Sequence, residues 1–148
     1  MRKKLLLSLI AVVLGALLPV AAQKTVFDGD TTSQHVPIYG YYADAFLKCE
    51  YVIPASELTD LVDGTISSLK WYVSSPATSS WGNANFVVFL KEVDYTTPSG
   101  YSGTDGAAVV YEGSIDGTQS EISISFATPY HYSGGNLLVG VYNTVTGS

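Results

Sequence analysis

Arginine is almost missing from this chain: Arg2 is the only one, and it sits beside Lys3 and Lys4 at the extreme N-terminus. Beyond residue 22 the basic residues are Lys24, Lys48, Lys70 and Lys91, set against thirteen acids, a balance of −9. Nucleic acids and anionic lipid surfaces select for clustered Lys and Arg, so this charge pattern speaks against both as partners. The acid excess reads first as a solubility feature. Cysteine is equally scarce. Cys49 stands alone, so no intrachain disulfide can form and the fold must rely on its core. Lying between Leu47 and Tyr51, it reads as a small buried hydrophobe.

Histidine is limited to His35 and His131, and no Gly-x-Ser-x-Gly elbow accompanies them. A Ser-His-acid arrangement therefore has little to stand on. Sustained helical spacing is missing as well. Only Ala55 to Val62, opened by Pro54 and closed by Gly64, has the makings of a short helical turn.

What is present begins with an export leader. The positive cluster after Met1 is followed by Leu5 to Leu18, apolar apart from Ser8, then by Pro19 and the small residues Val20, Ala21 and Ala22. That is the layout of a cleaved signal peptide, 1–22, with the cut between Ala22 and Gln23. The apolar run is short for a membrane span, which needs about 20 residues. Removing 22 of the 148 residues leaves 126, one domain of ordinary size, expected outside the cell or at its outer surface, or in the periplasm. No membrane insertion is expected after cleavage.

The remainder is rich in Tyr, Val, Ser, Thr and Gly, arranged in short runs bounded by turn residues, the pattern of an antiparallel β-sandwich of about seven strands. Gln119 to Phe126 alternates cleanly, with Ile122, Ile124 and Phe126 on one face and Glu121, Ser123 and Ser125 on the other. Asp116-Gly117 before it predicts a hairpin with Ala107–Glu112. Asn85–Val93 and Leu137–Tyr142 are apolar on both parities and are expected to be central. Thr65–Val73 puts Leu69, Trp71 and Val73 on one face with Ile66 out of phase, which predicts a bulge near Ser67-Ser68. Glu50–Ile53 and a first strand near Lys24–Phe27 complete the set. Loops are expected over Ser74–Ala84, Asp94–Gly106 and Thr128–Gly135. Because only six residues follow Tyr142, the two-faced strand Leu137–Tyr142 is expected to lack a neighbour. The chain then reads as the front piece of a longer product, missing C-terminal strands and prone to self-association.

The run Val36-Pro37-Ile38-Tyr39-Gly40-Tyr41-Tyr42, the stretch from Glu50 to Leu58, Gly64-Thr65-Ile66 with Lys70-Trp71-Tyr72, Phe86 to Val93, Val110-Tyr111-Glu112-Gly113, and above all Gly134-Gly135-Asn136-Leu137-Leu138 carry a likeness. Through them the chain resembles the adhesin-like, jelly-roll-type β-sandwich domain near the N-terminus of secreted multi-domain proteins of Gram-negative gut and oral anaerobes. The resemblance implies further domains downstream and no enzymatic residues; it does not fix a ligand, and a glycan or a host or bacterial surface protein is the expected partner.

Paired carboxylates are the acid/base arrangement to look for, since glycoside hydrolysis needs two across a cleft. Glu50/Glu57, Asp60/Asp63, Glu92/Asp94 and Glu112/Asp116 are the candidates, and Glu92, on the parity of Leu90, is the one expected to be partly buried with a raised pKa. Most fall at strand ends and turns, where acids cap, and no catalytic residue is assigned. Asp28-Gly29-Asp30 offers alternating oxygens but no Asp-x-Asp-x-Asp-Gly loop, so no metal or cofactor is expected. The loop aromatics Trp81, Tyr95 and Tyr101 are the candidate ligand-binding residues, able to stack on sugar rings. Trp71 is expected in the core. The reading is a non-catalytic secreted or surface module with an adhesin-like or spacing role, with a carbohydrate-binding module as the alternative. Mass spectrometry of the exported protein should find Gln23 at the N-terminus; a mature form that retains Leu5–Leu18 would contradict the leader.

Overall fold

The computed structural model describes residues 23–26, 32–38 and 47–145. The leader, its cleavage point and Asp28-Gly29-Asp30 lie outside the described residues. Six strands are present among the described residues: β1 (Lys48–Ile53), β2 (Gly64–Tyr72), β3 (Asn85–Val93), β4 (Ala108–Gly113), β5 (Glu121–Tyr132) and β6 (Asn136–Val145). All pairings are antiparallel, and the fold is an all-β sandwich. One layer is a four-stranded sheet in the order β1-β6-β3-β4, and the other is the ribbon β2-β5. The helical turn expected after Pro54 is present as two 3-10 turns, Ala55–Glu57 and Thr59–Leu61.

β3 and β6 are the inner strands of the sheet, as their apolarity on both parities requires. Phe86, Val88 and Leu90 of β3 and Leu137, Val139 and Val141 of β6 meet Trp71, Ile122 and Ile124 of the ribbon in one buried cluster. Leu58, Ile38, Trp81 and Ile115 close its flanks, a task the narrow ribbon cannot do alone. Across the layers the Trp71 Nε1–H donates to the Tyr51 hydroxyl at 2.7 Å, satisfying two polar groups that the core would otherwise strand. The bulge in β2 is present: the register shifts between Ile66 and Ser68, where Ser67 stands opposite residues 126–129 of β5. Pro129, which has no N–H to offer a ladder, falls in that irregular stretch.

Several expectations need correction. Residues 23–26 carry no strand, and Phe27 lies outside the described residues. Gln119–Phe126 and Ala107–Glu112 do not form a hairpin. β4 pairs with β3 and β5 with β2, so the connection between them passes from one layer to the other. Ile115 explains this, because it is drawn into the core and carries the turn between the layers. The loop expected over Thr128–Gly135 is mostly strand, since 130–132 pair with 64–66 and Tyr132 is fully buried. Leu69 and Phe126, expected in the core, are half-buried beside the bulge. Finally, the expectation that β6 lacks a neighbour does not hold: β1 and β3 pair with its two edges.

β1, β3, β4 and β6 lie in the sheet and β2 and β5 in the ribbon, so every connection changes layer except the one from β3 to β4. This is the winding of an eight-stranded jelly roll in which the two strands due between β3 and β4 are replaced by the loop 94–107. In the full winding that pair would widen the ribbon beside β5. Here the loop folds instead over the outer face of the sheet, where Val87, Phe89 and Leu138 are as buried as the core itself. Phe89 lies directly over Gly140, where a Cβ would stand 2.0 Å from the ring Cζ. Gly140→Ala should therefore cost about 1–3 kcal/mol through overpacking. Thermal unfolding of G140A and of the G140A/F89L pair checks this, and the smaller leucine should return part of the loss.

Candidate functional site

The loop 94–107 and the edge strand β1 enclose a cleft of about 310 Å³ lined by His35, Lys48, Cys49, Glu50, Pro98, Gly100 and Tyr101. Its walls follow from strand parity. Lys48, Glu50 and Val52 share the outer face of β1, in register with Tyr142, Gly140 and Leu138 of β6 and with Val87, Phe89 and Lys91 of β3. Glu50 reaches up to the loop and accepts from the Ser102 N–H at 2.8 Å, the Gly103 N–H at 2.9 Å and the Ser102 hydroxyl at 3.1 Å. Lys91 holds the same bend from the other polarity: its ammonium donates to the Gly103 carbonyl at 2.9 Å and the Asp105 carbonyl at 3.4 Å. Gly103 has φ +70°, which suits a residue without Cβ in this doubly gripped bend.

The bend presents Tyr101. Its ring meets Phe89 edge-on at 6.4 Å between centroids, and the Lys48 ammonium lies 4.7 Å from the ring centroid. Burial, with the charges of Glu50 and Tyr142, pushes the Tyr101 hydroxyl up to about 12, so it stays a neutral donor. Burial and Glu50 likewise push the Cys49 thiol up to about 11. Cys49 is half-buried rather than buried, and as a protonated thiol at neutral pH it is a poor nucleophile.

The three aromatics singled out from the sequence are not brought together. Only Tyr101 reaches the cleft, and it is 39% exposed. Trp81 is 7% exposed, with its ring on Gly117 and 5.5 Å from Phe86. It is a core residue closing one end of the sandwich, so its candidacy as a ligand-stacking residue fails on burial. Tyr95 is half-buried and does not line the cleft. Trp71 is in the core as expected. Lys48 was missed as a site residue, although its parity with Glu50, two positions on, was a usable signal.

Among the described residues the carboxylates of Glu92, Asp116, Glu112 and Asp60 are engaged by backbone and side-chain groups of the protein itself. Glu92 accepts from the Ser133 N–H at 2.7 Å and the Gly135 N–H at 2.6 Å, tying down the β5–β6 turn. Asp116 accepts from the N–H and hydroxyl of Thr118 and from the Gln119 amide. Glu112 accepts from the Asn85 amide at 3.3 Å, and Asp60 faces Lys24 at 3.4 Å. Glu50 and Glu92 stand on opposite faces of the sheet, so they cannot flank one substrate. No cluster of metal-binding side chains occurs among the described residues. None of their helices is long and apolar enough to cross a membrane.

The raised pKa expected for Glu92 is also corrected. Burial does push it upward, but the hydrogen bonds from Ser133 and Gly135, together with nearby His131, outweigh this and hold it below the usual carboxylate range. Searches of protein families, of curated proteins and of solved structures return no match to this chain. Because the folded-state pKa of Glu92 is depressed, its stabilising contribution is present above the ordinary value of about 4.5 and is lost as pH falls through the lower folded value. Denaturant titrations across pH 3 to 7 should therefore show a loss of stability below about pH 4.5, and Glu92→Gln should flatten that part of the profile.

Proposed function

We propose that this chain is a non-catalytic, exported β-sandwich module that serves an interaction or spacing role, adhesin-like in character, on a secreted or surface protein. The observation that carries the reading is the engagement of Glu50, Glu92 and Asp116 by backbone N–H groups. A general acid or base must exchange a proton with substrate, and each of these carboxylates is instead engaged as a hydrogen-bond acceptor that rigidifies a loop or turn. The leader-like N-terminus and the resemblance to adhesin-like domains support the location and the class.

Carbohydrate binding is the second reading, and Tyr101 favours it. The ring is partly exposed at the rim of a cleft that also offers the Lys48 ammonium and an exposed His35. Hydroxyl-rich ligands use such an aromatic with a few polar neighbours. The two readings separate on a glycan array probed with the processed protein and with Tyr101→Ala. The interaction reading expects no glycan signal that depends on Tyr101, whereas the carbohydrate reading expects a signal lost at least about tenfold in Y101A, since stacking aromatics dominate such sites. Turnover of a polysaccharide panel that disappears in both E50Q and E92Q would overturn the non-catalytic assignment altogether.

A further inference from the structure

We propose that the edge of β5 left unpaired among the described residues accepts an extended, basic peptide strand from a partner chain, in the position that a second neighbour of β5 takes in a full jelly roll. The inference rests on the reading of the chain as an interaction module and names the kind of partner. In the full winding, β5 would have a second neighbour in the ribbon, supplied by the pair of strands due between β3 and β4. That stretch lies instead on the outer face of the sheet, pinned by Glu50 and Lys91. Among the described residues only β2 pairs with β5.

The direction of the unpaired groups follows from the register. The Val73 N–H donates to the Ser120 carbonyl at 2.8 Å, which continues the ladder in which Tyr72 faces Glu121. Hydrogen-bonded pairs alternate along an antiparallel ladder, so Trp71 with Ile122 and Leu69 with Ile124 exchange backbone bonds. The N–H and C=O groups of Glu121, Ser123 and Ser125 therefore point away from β2, along a five-residue run. A groove of about 240 Å³ lies along this run, between it and residues 114–116, with buried Ile115, Ile122 and Ile124 at its floor. In the 23–26 segment, which carries no strand, the Gln23 amide donates to the Tyr72 hydroxyl of β2 at 3.4 Å.

Charge selects the occupant. After Lys91 the chain contains no Lys or Arg but six acids: Glu92, Asp94, Asp105, Glu112, Asp116 and Glu121. Asp116 and Glu121 line the groove itself, and Lys70 of β2, opposite Ser123, is ion-paired with one oxygen of Glu121 at 2.9 Å, so the local balance is one net negative charge. A second copy of this acidic chain would bring like charge to the edge, whereas a strand with alternating basic and apolar residues would set its cations beside Glu121 and Asp116 and its apolar side chains over the isoleucines. Main-chain bonds to the edge would supply affinity, and the alternation would supply selectivity.

The test uses the processed protein and a short peptide of alternating lysine and isoleucine, followed by backbone amide exchange and fluorescence anisotropy. Bound peptide should slow exchange at Ser123 and Ser125 by at least about tenfold, since an edge amide in a ladder is shielded from water. Glu121→Gln should weaken binding several-fold, and added salt should weaken it further. Ser123→Pro, or the same peptide N-methylated at alternate positions, should bind at least about tenfold more weakly; the methylated peptide leaves the protein unaltered and so controls for misfolding. The proposal is overturned if the peptide fails to bind, if N-methylation has no effect, or if an acidic peptide binds as well. It is equally overturned if Ser123 and Ser125 are already protected without peptide, which would mean that this chain or a second copy covers the edge. Polysaccharide turnover in the separate assay would sink the module reading without bearing on the edge, so the two failures are distinguishable.

Discussion

The structure depends on a strand that must be covered on both of its faces. β6 carries Leu137, Val139 and Val141 toward the ribbon and Leu138 toward the opposite side, and all four are buried. A ribbon of two strands can shield only one face of the sheet that β6 occupies. The outer face would otherwise leave Val87, Phe89 and Leu138 in water, a contiguous apolar patch of the kind soluble proteins avoid. The loop 94–107 lies over this face at Phe89, where Tyr101 meets its ring edge-on, and the contact of Phe89 with Gly140 shows how closely that side is packed. Once the loop is committed to the outer face, it cannot widen the ribbon. The two-stranded width of the ribbon among the described residues and the cleft under Tyr101 thus go with the same placement of the loop.

A loop without secondary structure needs something to hold it, and the sandwich uses charge for this purpose. Glu50 takes the N–H groups of the bend and Lys91 takes its carbonyls, so a carboxylate and an ammonium from different strands grip one peptide segment from its two polarities. The β5–β6 turn repeats half of the device, with Glu92 accepting from Ser133 and Gly135. Gly134 has φ +114°, and a Cβ on Gly135 would press on the Glu92 carboxylate, so both glycines answer to geometry at that turn. Asn136 completes it by accepting from the Ala55 N–H at 3.0 Å, which fastens the first 3-10 turn. The Gly-Gly-Asn segment that stood out in the sequence is therefore a junction between a turn, a strand and a helical turn.

Period-two alternation made much of the fold legible in advance. The faces of β5 at Ile122 and Ile124, the central positions of β3 and β6, the bulge at Ser67 and the core position of Trp71 all follow from which residues are apolar at which parity. Partner choice was not legible in the same way. Asp116-Gly117 is good hairpin chemistry, yet the buried Ile115 beside it pulled the chain between layers. The candidate site was legible only in Tyr101. Trp81 had the same loop setting in sequence but lies against Gly117 and Phe86, and nothing local separates a tryptophan that covers a core from one that meets a ligand.

By itself the sequence determined the class of fold, the faces of its strands, the lone thiol, the acid excess and a leader-like N-terminus, because each of these is a property of composition or of spacing along a few residues. Tertiary structure alone decided which strands pair, which layer the loop 94–107 covers, and the lowered pKa of Glu92. Those depend on groups far apart in the chain: Glu50 with Ser102, Glu92 with Gly135, Tyr51 with Trp71. A carboxylate reads the same in sequence whether water or two backbone N–H groups surround it, and only the fold brings the N–H groups.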